Sequence, residues 1–526
     1  MKSIWSGLII ALVAASPAAM AQVTRVNVTG GVIAGTVVDG LSEFKGIPFA
    51  APPVGNLRWR APRPVKPWHG TRQTTAFGPG CMQSALRRAG ASSAPAISVS
   101  EDCLYLNVWT PAKSADEKLP VIAWIYGGGF TAGMTSSPLY DGSHFAHKGV
   151  VFVSISYRVG SFGFLATPAL SRESGHGSGN YGLLDQIAGL KWIQRNIAKF
   201  GGDPSKVTLF GHSAGGFSVS MLAGSPLARG LFRAVISESG SNFTPPEDSP
   251  WAGTTVETLS MSEAAGEKWL QSLGASTLQQ ARALPAATLL AAQRTRGGPR
   301  FWPPVDGYVI VGDQYELWTH GHFNDTPILV GDVSDEAAGF GVRKTDPASF
   351  EAMVRRGYGN MADTILAAYP HATDAQATRS GTQLSSDTVF DWNQYTWARL
   401  ESSYGKHKAY MYYFNLPTER DPNGSAHGQE VAYVFGNLGG PGRPPPTNRD
   451  REISQEMQDY WVNFAIKGDP NGPGLPAWPA FSESAPLVMR FGVDQGPAPI
   501  PHQDRLQVLN AYYAWRRAGS SNRERP

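Results

Sequence analysis

The chain has 526 residues and a net charge of +3 with histidine neutral; 17% of its residues are charged and 11% aromatic. Sparse charge with aromatic residues spread along the whole length is the composition of an ordered globular protein and excludes an extended disordered chain. A near-neutral balance without a dense Lys/Arg block excludes a sequence-wide attraction for nucleic acid or an anionic membrane.

The first element is a processing signal. Lys2 supplies a positive n-region, Leu8 to Ala15 an apolar h-region, and Ala19-Met20-Ala21 an A-x-A cleavage site before Gln22. The apolar run is too short for a membrane anchor, and no later stretch is long enough to span. Residues 1–21 are therefore expected to be removed on export, to the periplasm or beyond. Loss of Lys2 leaves a net +2. The two cysteines, Cys81 and Cys103, survive cleavage. In an oxidising compartment they are expected to form one disulfide, worth about 3 kcal/mol by loop-closure entropy.

Several β-rich runs follow, separated by helical stretches. Val121 to Tyr126 is followed by glycines, and Val150 to Tyr157 is apolar nearly throughout, as a strand covered on both faces should be. Apolar residues at helical spacing predict a helix over Leu183 to Phe200, stopped by Gly201-Gly202-Asp203-Pro204. Lys206 to Phe210, Ala234 to Ser237, Pro327 to Gly331 and Ala409 to Phe414 read as further strands. Alternating strands and helices predict an α/β class with a mostly parallel sheet and helices on both faces. Two long insertions, about Pro245 to Phe323 and Phe340 to Arg399, are mostly helical in pattern and suited to form walls over the strand ends. Gly439 to Pro446 reads as a surface loop, and Arg505 to Arg517 as a closing helix. No repeat or Gly/Ser linker divides the chain, so one domain over 22–518 with a polar tail at 519–526 is expected.

Gly211-His212-Ser213-Ala214-Gly215 lies between a strand and an apolar helix. The pentapeptide alone is weak. In that context, however, a G-x-S-x-G serine becomes an exposed nucleophile at a sharp turn. A serine hydroxyl needs a hydrogen-bonded base, and the base needs a buried acid to fix its tautomer. In chain order Ser, acid, His, the histidine that stands out is His427, on the small-residue loop Gly424 to Gly428 after the late strand. His320, His322, His371, His407 and His502 fall in insertions, helices or the tail. Asp332, Asp335 and Glu336 all follow the strand ending near Gly331, and position does not choose among them. Gly127-Gly128-Gly129-Phe130 matches the glycine-rich loop that supplies oxyanion amides in lipases and esterases. It lacks the Lys-[ST] and G-x-G-x-x-G features of a phosphate loop. Histidines and cysteines lack close metal-ligand spacing, so neither a metal nor an organic cofactor is expected.

From about Thr29 to the closing helix the chain resembles the type B carboxylesterases, the family of cholinesterases and bacterial para-nitrobenzyl esterases. The resemblance is carried by Gly46-Ile47-Pro48-Phe49-Ala50, Glu101 to Asn107, Asn180 to Gln186, Phe200 to Pro204 and Trp461 to Asn471. It implies an α/β-hydrolase fold with large helical insertions over the site. It also implies Ser213 as nucleophile, Glu336 as acid, His427 as base and the amides of Gly128, Gly129 and Ala214 as oxyanion donors. Cys81 and Cys103 match the family's first disulfide.

Three departures shape the expected substrate. His212 stands where the family usually has Glu, which removes a negative charge beside the site. The Cys81–Cys103 loop carries Arg87 and Arg88 and no tryptophan to hold a quaternary ammonium. Gly297, Gly298 and Pro299 precede Phe301-Trp302-Pro303 in place of bulky aromatics. Small to medium hydrophobic or aryl esters are expected, with a roomy acyl side open to aryl or anionic groups, and choline esters are not. The alternatives are amide or lactam hydrolysis by the same residues and a non-catalytic binding module on the same fold.

Overall fold

The computed structural model describes residues 22–84, 98–246, 256–293, 299–341, 343–418, 422–440 and 444–521. The expected leader, Arg87, Arg88, Gly297 and Gly298 lie outside them. Eleven strands form the large sheet. In chain order they are β1 Thr36–Val38, β2 Leu41–Pro48, β3 Tyr105–Thr110, β4 Leu119–Ile125 and β5 Val151–Ile155. After these come β6 Gly202–His212, β7 Ala234–Glu238, β8 Ile328–Val333, β9 Ala409–Phe414, β10 Leu487–Phe491 and β11 Gly496–Pro499. The spatial order is β11-β10-β9-β8-β7-β6-β4-β5-β3-β2-β1. All pairs from β10 across to β5 are parallel, with antiparallel strands at both margins. This is the mostly parallel sheet that the alternating pattern predicts.

Alternation along the strands sends large side chains to opposite faces. Trp124, Phe152 and Phe210 meet Phe145 and Phe435 on one face. Ile155, three residues beyond Phe152, points the other way and lies against Gly189 of helix α1, Tyr181–Asn196. Every residue of β5 is buried, as its unbroken apolar run requires. Helix α2, Ala214–Ala223, is buried on all sides beside β6 and β7. Helix α3, Trp392–Tyr404, packs on β8 and β9, and helix α4, Asn448–Lys467, on β4 and β6. Helix α5, Gln503–Ser521, closes the described chain.

Element ends depart from the sequence pattern for local reasons. β6 begins at Gly202, which pairs with Leu119, and resumes regular pairing at Val207 after a bulge. The helix expected over Leu183 to Phe200 starts at Tyr181. Its last turn, Ile197–Phe200, tightens to 3-10 geometry before Gly201 at φ 78°. Residues 519–521, expected as the start of a polar tail, form the end of α5. Residues 522–526 lie outside the described residues. Both insertions are helical: Leu259–Ser272, Leu278–Ala283, Ala286–Ala292 and Gln314–Thr319 in the first, Pro347–Tyr358, Ala362–Ala368 and Asp374–Ser386 in the second. Among the described residues no helix is long and apolar enough to cross a membrane.

Two tethers fix loops near the sheet's carboxyl edge. Gly80–Cys81 pairs with Val99–Ser100, and Cys81 and Cys103 are joined as a disulfide. Arg158, just after β5, grips Asp185 of α1 through Nε at 2.7 Å and Nη2 at 2.8 Å; its backbone N–H donates to the same carboxylate at 3.1 Å. Both side chains are almost wholly buried. Breaking such a pair from one side leaves an uncompensated interior charge, which costs about 3–5 kcal/mol. Asp185→Ala is therefore expected to lower unfolding free energy by that amount, read as a reduced urea midpoint at unchanged m-value.

Candidate active site

Strand β6 delivers Ser213 to the carboxyl edge of the sheet. The residue joins β6 to α2 at φ 56°, ψ −125°, outside the ordinary regions for a side-chain-bearing residue. The Ser213 N–H donates to Glu238 O at 2.9 Å, and its carbonyl accepts from Phe217 N–H at 2.8 Å. The turn closes only because glycines flank it: a Cβ on Gly215 would lie 2.1 Å from Ile125 O, and one on Gly240 2.2 Å from Ser213 O.

His427 comes from the loop after β9. Its Nε2 lies 2.8 Å from Ser213 Oγ, and its Nδ1 makes a short hydrogen bond with Glu336 Oε2. Glu336 is fully buried, and its second oxygen accepts from Val333 N–H at 3.1 Å. The acid and base loops are themselves joined. Asp335 N–H donates to Ser425 O at 2.9 Å, and Ser425 N–H to Ser334 Oγ at 2.8 Å. Of the three carboxylates left open by sequence position, Glu336 reaches the imidazole. Asp335 faces Arg379 at 3.9 Å. Asp332 is buried among other acids, and burial with the nearby charge of Glu336 raises its carboxyl well above the usual range. His320, His322 and His407 are exposed, and His371 Nδ1 bonds Tyr369 O at 2.8 Å.

The glycine loop after β4 lies against this arrangement. A Cβ on Gly127 would stand 2.8 Å from Ser213 Cβ, which measures how closely the loop approaches the serine. Gly128 sits at φ 118°, where its carbonyl accepts from Thr131 and Ala132 N–H groups at 3.1 Å each. That turn leaves the amides of Gly128 and Gly129 without internal acceptors among the described residues. Ala214, the first residue of α2, has the unpaired amide of any helix start. Gln83, two residues past the disulfide, clamps the loop: its Nε2 donates to Gly133 O at 2.8 Å, and its Oε1 accepts from Gly133 N–H at 2.9 Å. Nothing in the sequence pattern marks that clamp.

Aromatic rings from both insertions wall the site. Trp302 packs edge-on against Phe130 and Phe217, while Phe340 and Phe390 both lie beside the His427 ring, at 4.9 and 4.7 Å between centroids. Phe390 belongs to a π-helical stretch, Asp387–Asp391, that leads into α3. Among the described residues no group of histidine, cysteine and carboxylate side chains is placed to hold a metal.

Residues 22–508 match the carboxylesterase family. The chain is a member of that family. It is 38% identical to the fumonisin B1 esterase of Sphingopyxis macrogoltabida over 477 residues, covering 87% of this chain and 84% of that one. It is 35% identical to the para-nitrobenzyl esterase of Bacillus subtilis (strain 168), covering 86% and 91%. A solved PNB esterase structure superposes with a TM-score of 0.80 at 32% identity, over 92% of this chain and 99% of that one. The fold is the α/β-hydrolase fold, and the protein is a carboxylic ester hydrolase of the kind that works through an acyl-enzyme.

Behind the imidazole, this carboxylesterase buries His212, the departure from the family residue beside the serine, together with carboxyls that no motif marks. His212 lies 93% buried with its ring 4.7 Å from that of His427. Burial, reinforced by His427, holds it well below the ordinary histidine range and therefore neutral. Glu430, three residues past His427, is pushed up to about 8 by burial and by the charge of Glu336. Glu238, paired in register with His212 across β6 and β7, is raised well above the usual range by burial and by Glu430. Trp461 Nε1 donates to it at 3.0 Å. His212 is marked by its departure from the family residue, and Glu430 only by its closeness to the histidine in the same loop, just before the short helix Val431–Phe435. Between the ordinary carboxyl value and its raised native value, Glu238 keeps a proton that the unfolded chain has lost, so its contribution to stability falls as pH rises. Glu238→Gln is expected to make that fall shallower, by up to about 1.4 kcal/mol per pH unit across the window, measured as urea midpoints at pH 5, 7 and 9.

Proposed function

We propose that Ser213 is the nucleophile of this carboxylesterase, His427 its general base and acid, and Glu336 the carboxylate that orients and balances the imidazole. The observation that carries this reading is the unbroken hydrogen-bond chain from Ser213 Oγ through both nitrogens of His427 to Glu336. As Ser213 Oγ attacks the ester carbonyl, its proton passes to His427 Nε2, and the buried Glu336 offsets the imidazolium charge. The amides of Gly128, Gly129 and Ala214 receive the oxyanion, each donor worth about 3 kcal/mol in the transition state. His427 then protonates the leaving alcohol and activates the water that releases the acid.

The ring wall of Phe130, Phe217, Trp302, Phe340 and Phe390 supports small to medium hydrophobic or aryl esters as substrates. One relative is named for a para-nitrobenzyl ester. A neutral His212 supports poor use of choline esters. Intact serine, histidine and acid argue against a purely adhesive role. The charged, apolar and A-x-A segments at the N-terminus, with the Cys81–Cys103 disulfide, support export and a mature chain beginning at Gln22; N-terminal sequencing of the secreted or periplasmic protein should read Gln22.

A fluorophosphonate is expected to label the wild-type protein and not Ser213→Ala, whose kcat on a p-nitrophenyl ester should fall about 10⁴-fold or more. His427→Ala should lose about as much, and the double variant hardly more, because the residues act as a unit. Turnover of p-nitroanilides at the ester rate would instead assign amide hydrolysis, and full activity of Ser213→Ala would remove the nucleophile assignment.

A further inference from the structure

The imidazole of His212 stands between the two loops that build the site. A Cβ on Gly127, in the glycine loop, would lie 3.4 Å from His212 Nδ1 and 2.8 Å from Ser213 Cβ. A Cβ on Gly428, beside the base, would lie 3.0 Å from His212 Cε1. The two ring nitrogens have opposite surroundings. Nε2 is wholly buried, without a hydrogen-bond partner, and faces Glu430 Oε1 at 3.7 Å. Nδ1 makes no hydrogen bond among the described residues, is not one of the wholly enclosed atoms, and lies on the side of Ser213 and the glycine loop; 7% of the residue is left accessible.

We propose that His212 is a specificity-determining residue of the ester hydrolase: its Nδ1 offers the substrate an N–H donor or a lone pair according to whether Glu430, behind it, holds a proton. This rests on the assignment of Ser213 as nucleophile, since it places Nδ1 beside the bound ester.

A neutral imidazole carries one N–H, and the group bonded to one nitrogen decides which nitrogen holds it. At 3.7 Å the two groups act on each other through charge and dipole rather than through a formed hydrogen bond: with Glu430 protonated, its O–H turned toward Nε2 favours the ring's hydrogen on Nδ1, facing the ester. When Glu430 ionises, its carboxylate favours the ring's hydrogen on Nε2 instead; the pair releases one proton to solvent overall, and a lone pair on Nδ1 faces the ester. Around Glu430 stand Ser239, whose Oγ donates to Oε1 at 3.2 Å, the carboxyls of Glu238, Glu336 and Asp332, and the phenol of Tyr412. Around His212 stand His427 and Ser213. The largest influences on the two groups are burial, with His427 for His212 and Glu336 for Glu430, and no lysine or arginine is among them. The raised value of Glu430 puts the change within the range where an esterase can be assayed.

The test compares kcat/KM from pH 6 to 10 for two pairs of esters. One pair differs on the alcohol side, 2-methoxyethyl against n-butyl esters of one acid; the other on the acyl side, methoxyacetyl against butyryl esters of one alcohol. Within each pair the titration of His427 cancels in the ratio, so only recognition of the extra oxygen remains. In the wild-type enzyme the methoxy-to-hydrocarbon ratio of one pair is expected to fall about five- to tenfold from pH 7 to 9.5, the loss of one donor. That pair names the side that His212 faces. In Glu430→Gln the uncharged amide keeps an N–H turned toward Nε2 at every pH, and the ratio stays at its low-pH value. In His212→Phe, which leaves the buried acids in place, both ratios are flat. Flat ratios in the wild-type enzyme, or a ratio that still titrates in His212→Phe, overturn the proposal. Loss of all ester turnover in Ser213→Ala tests the underlying assignment separately.

Discussion

One backbone conformation sets the terms for the rest of this molecule. At φ 56°, ψ −125°, Ser213 occupies a region that costs a side-chain-bearing residue about 1–3 kcal/mol, and such a turn persists only where its surroundings over-determine it. Here the surroundings are the sheet itself. The serine amide is taken by Glu238 O at the end of the neighbouring strand, and α2 is buried on every side. The backbones of Ile125 and Ser213 press so close that side chains could not be accommodated at Gly215 and Gly240. The strain lifts the hydroxyl clear of the strand end, toward His427 and the glycine loop.

The same packing brings carboxyls into an interior that has no cation for most of them. Isolated buried carboxylates are costly, and the usual escape is to keep the proton. Glu238, Asp332, Asp391 and Glu430 are all raised by burial, with neighbouring acids adding to the effect. Asp387 instead has a cation partner, Arg505, at 2.6 Å, as Asp185 has in Arg158. Glu336 is held by the His427 imidazole and by a backbone amide. The result is one carboxyl directed at the imidazole from within a largely neutral surround, which is the field a proton-shuttling histidine requires. His212 belongs to that neutral surround.

Chemistry and selectivity come from different parts of the chain. The triad geometry rests on strand ends and the short loops after them. The rings that surround it, Trp302, Phe340 and Phe390, come from the two helical insertions. A catalytic edge held by the sheet leaves the insertions free to vary the walls. The disulfide and Gln83 tie a further loop, outside the insertions, to the glycine turn.

What could be read in advance follows from the range of the forces involved. The strands, the helix after β5, the serine turn and the glycine loop are local features, set by side-chain alternation and by backbone freedom at glycine, and they are legible residue by residue. His427 could be reached by chain order and loop composition. The choice of Glu336 over Asp332 and Asp335 needed the family resemblance, because three acids within five residues look alike until one is turned toward an imidazole ninety-one residues away. The tilted contact of the His212 ring with that of His427, the Gln83 clamp and the acid cluster were invisible, since each is a meeting of side chains from separate strands and loops. The sequence alone determined which backbone turns were possible and which residue types could do chemistry. Tertiary structure decided which of those residues touch and which carboxyls lose their water, because hydrogen-bond geometry and desolvation exist only once distant segments have packed.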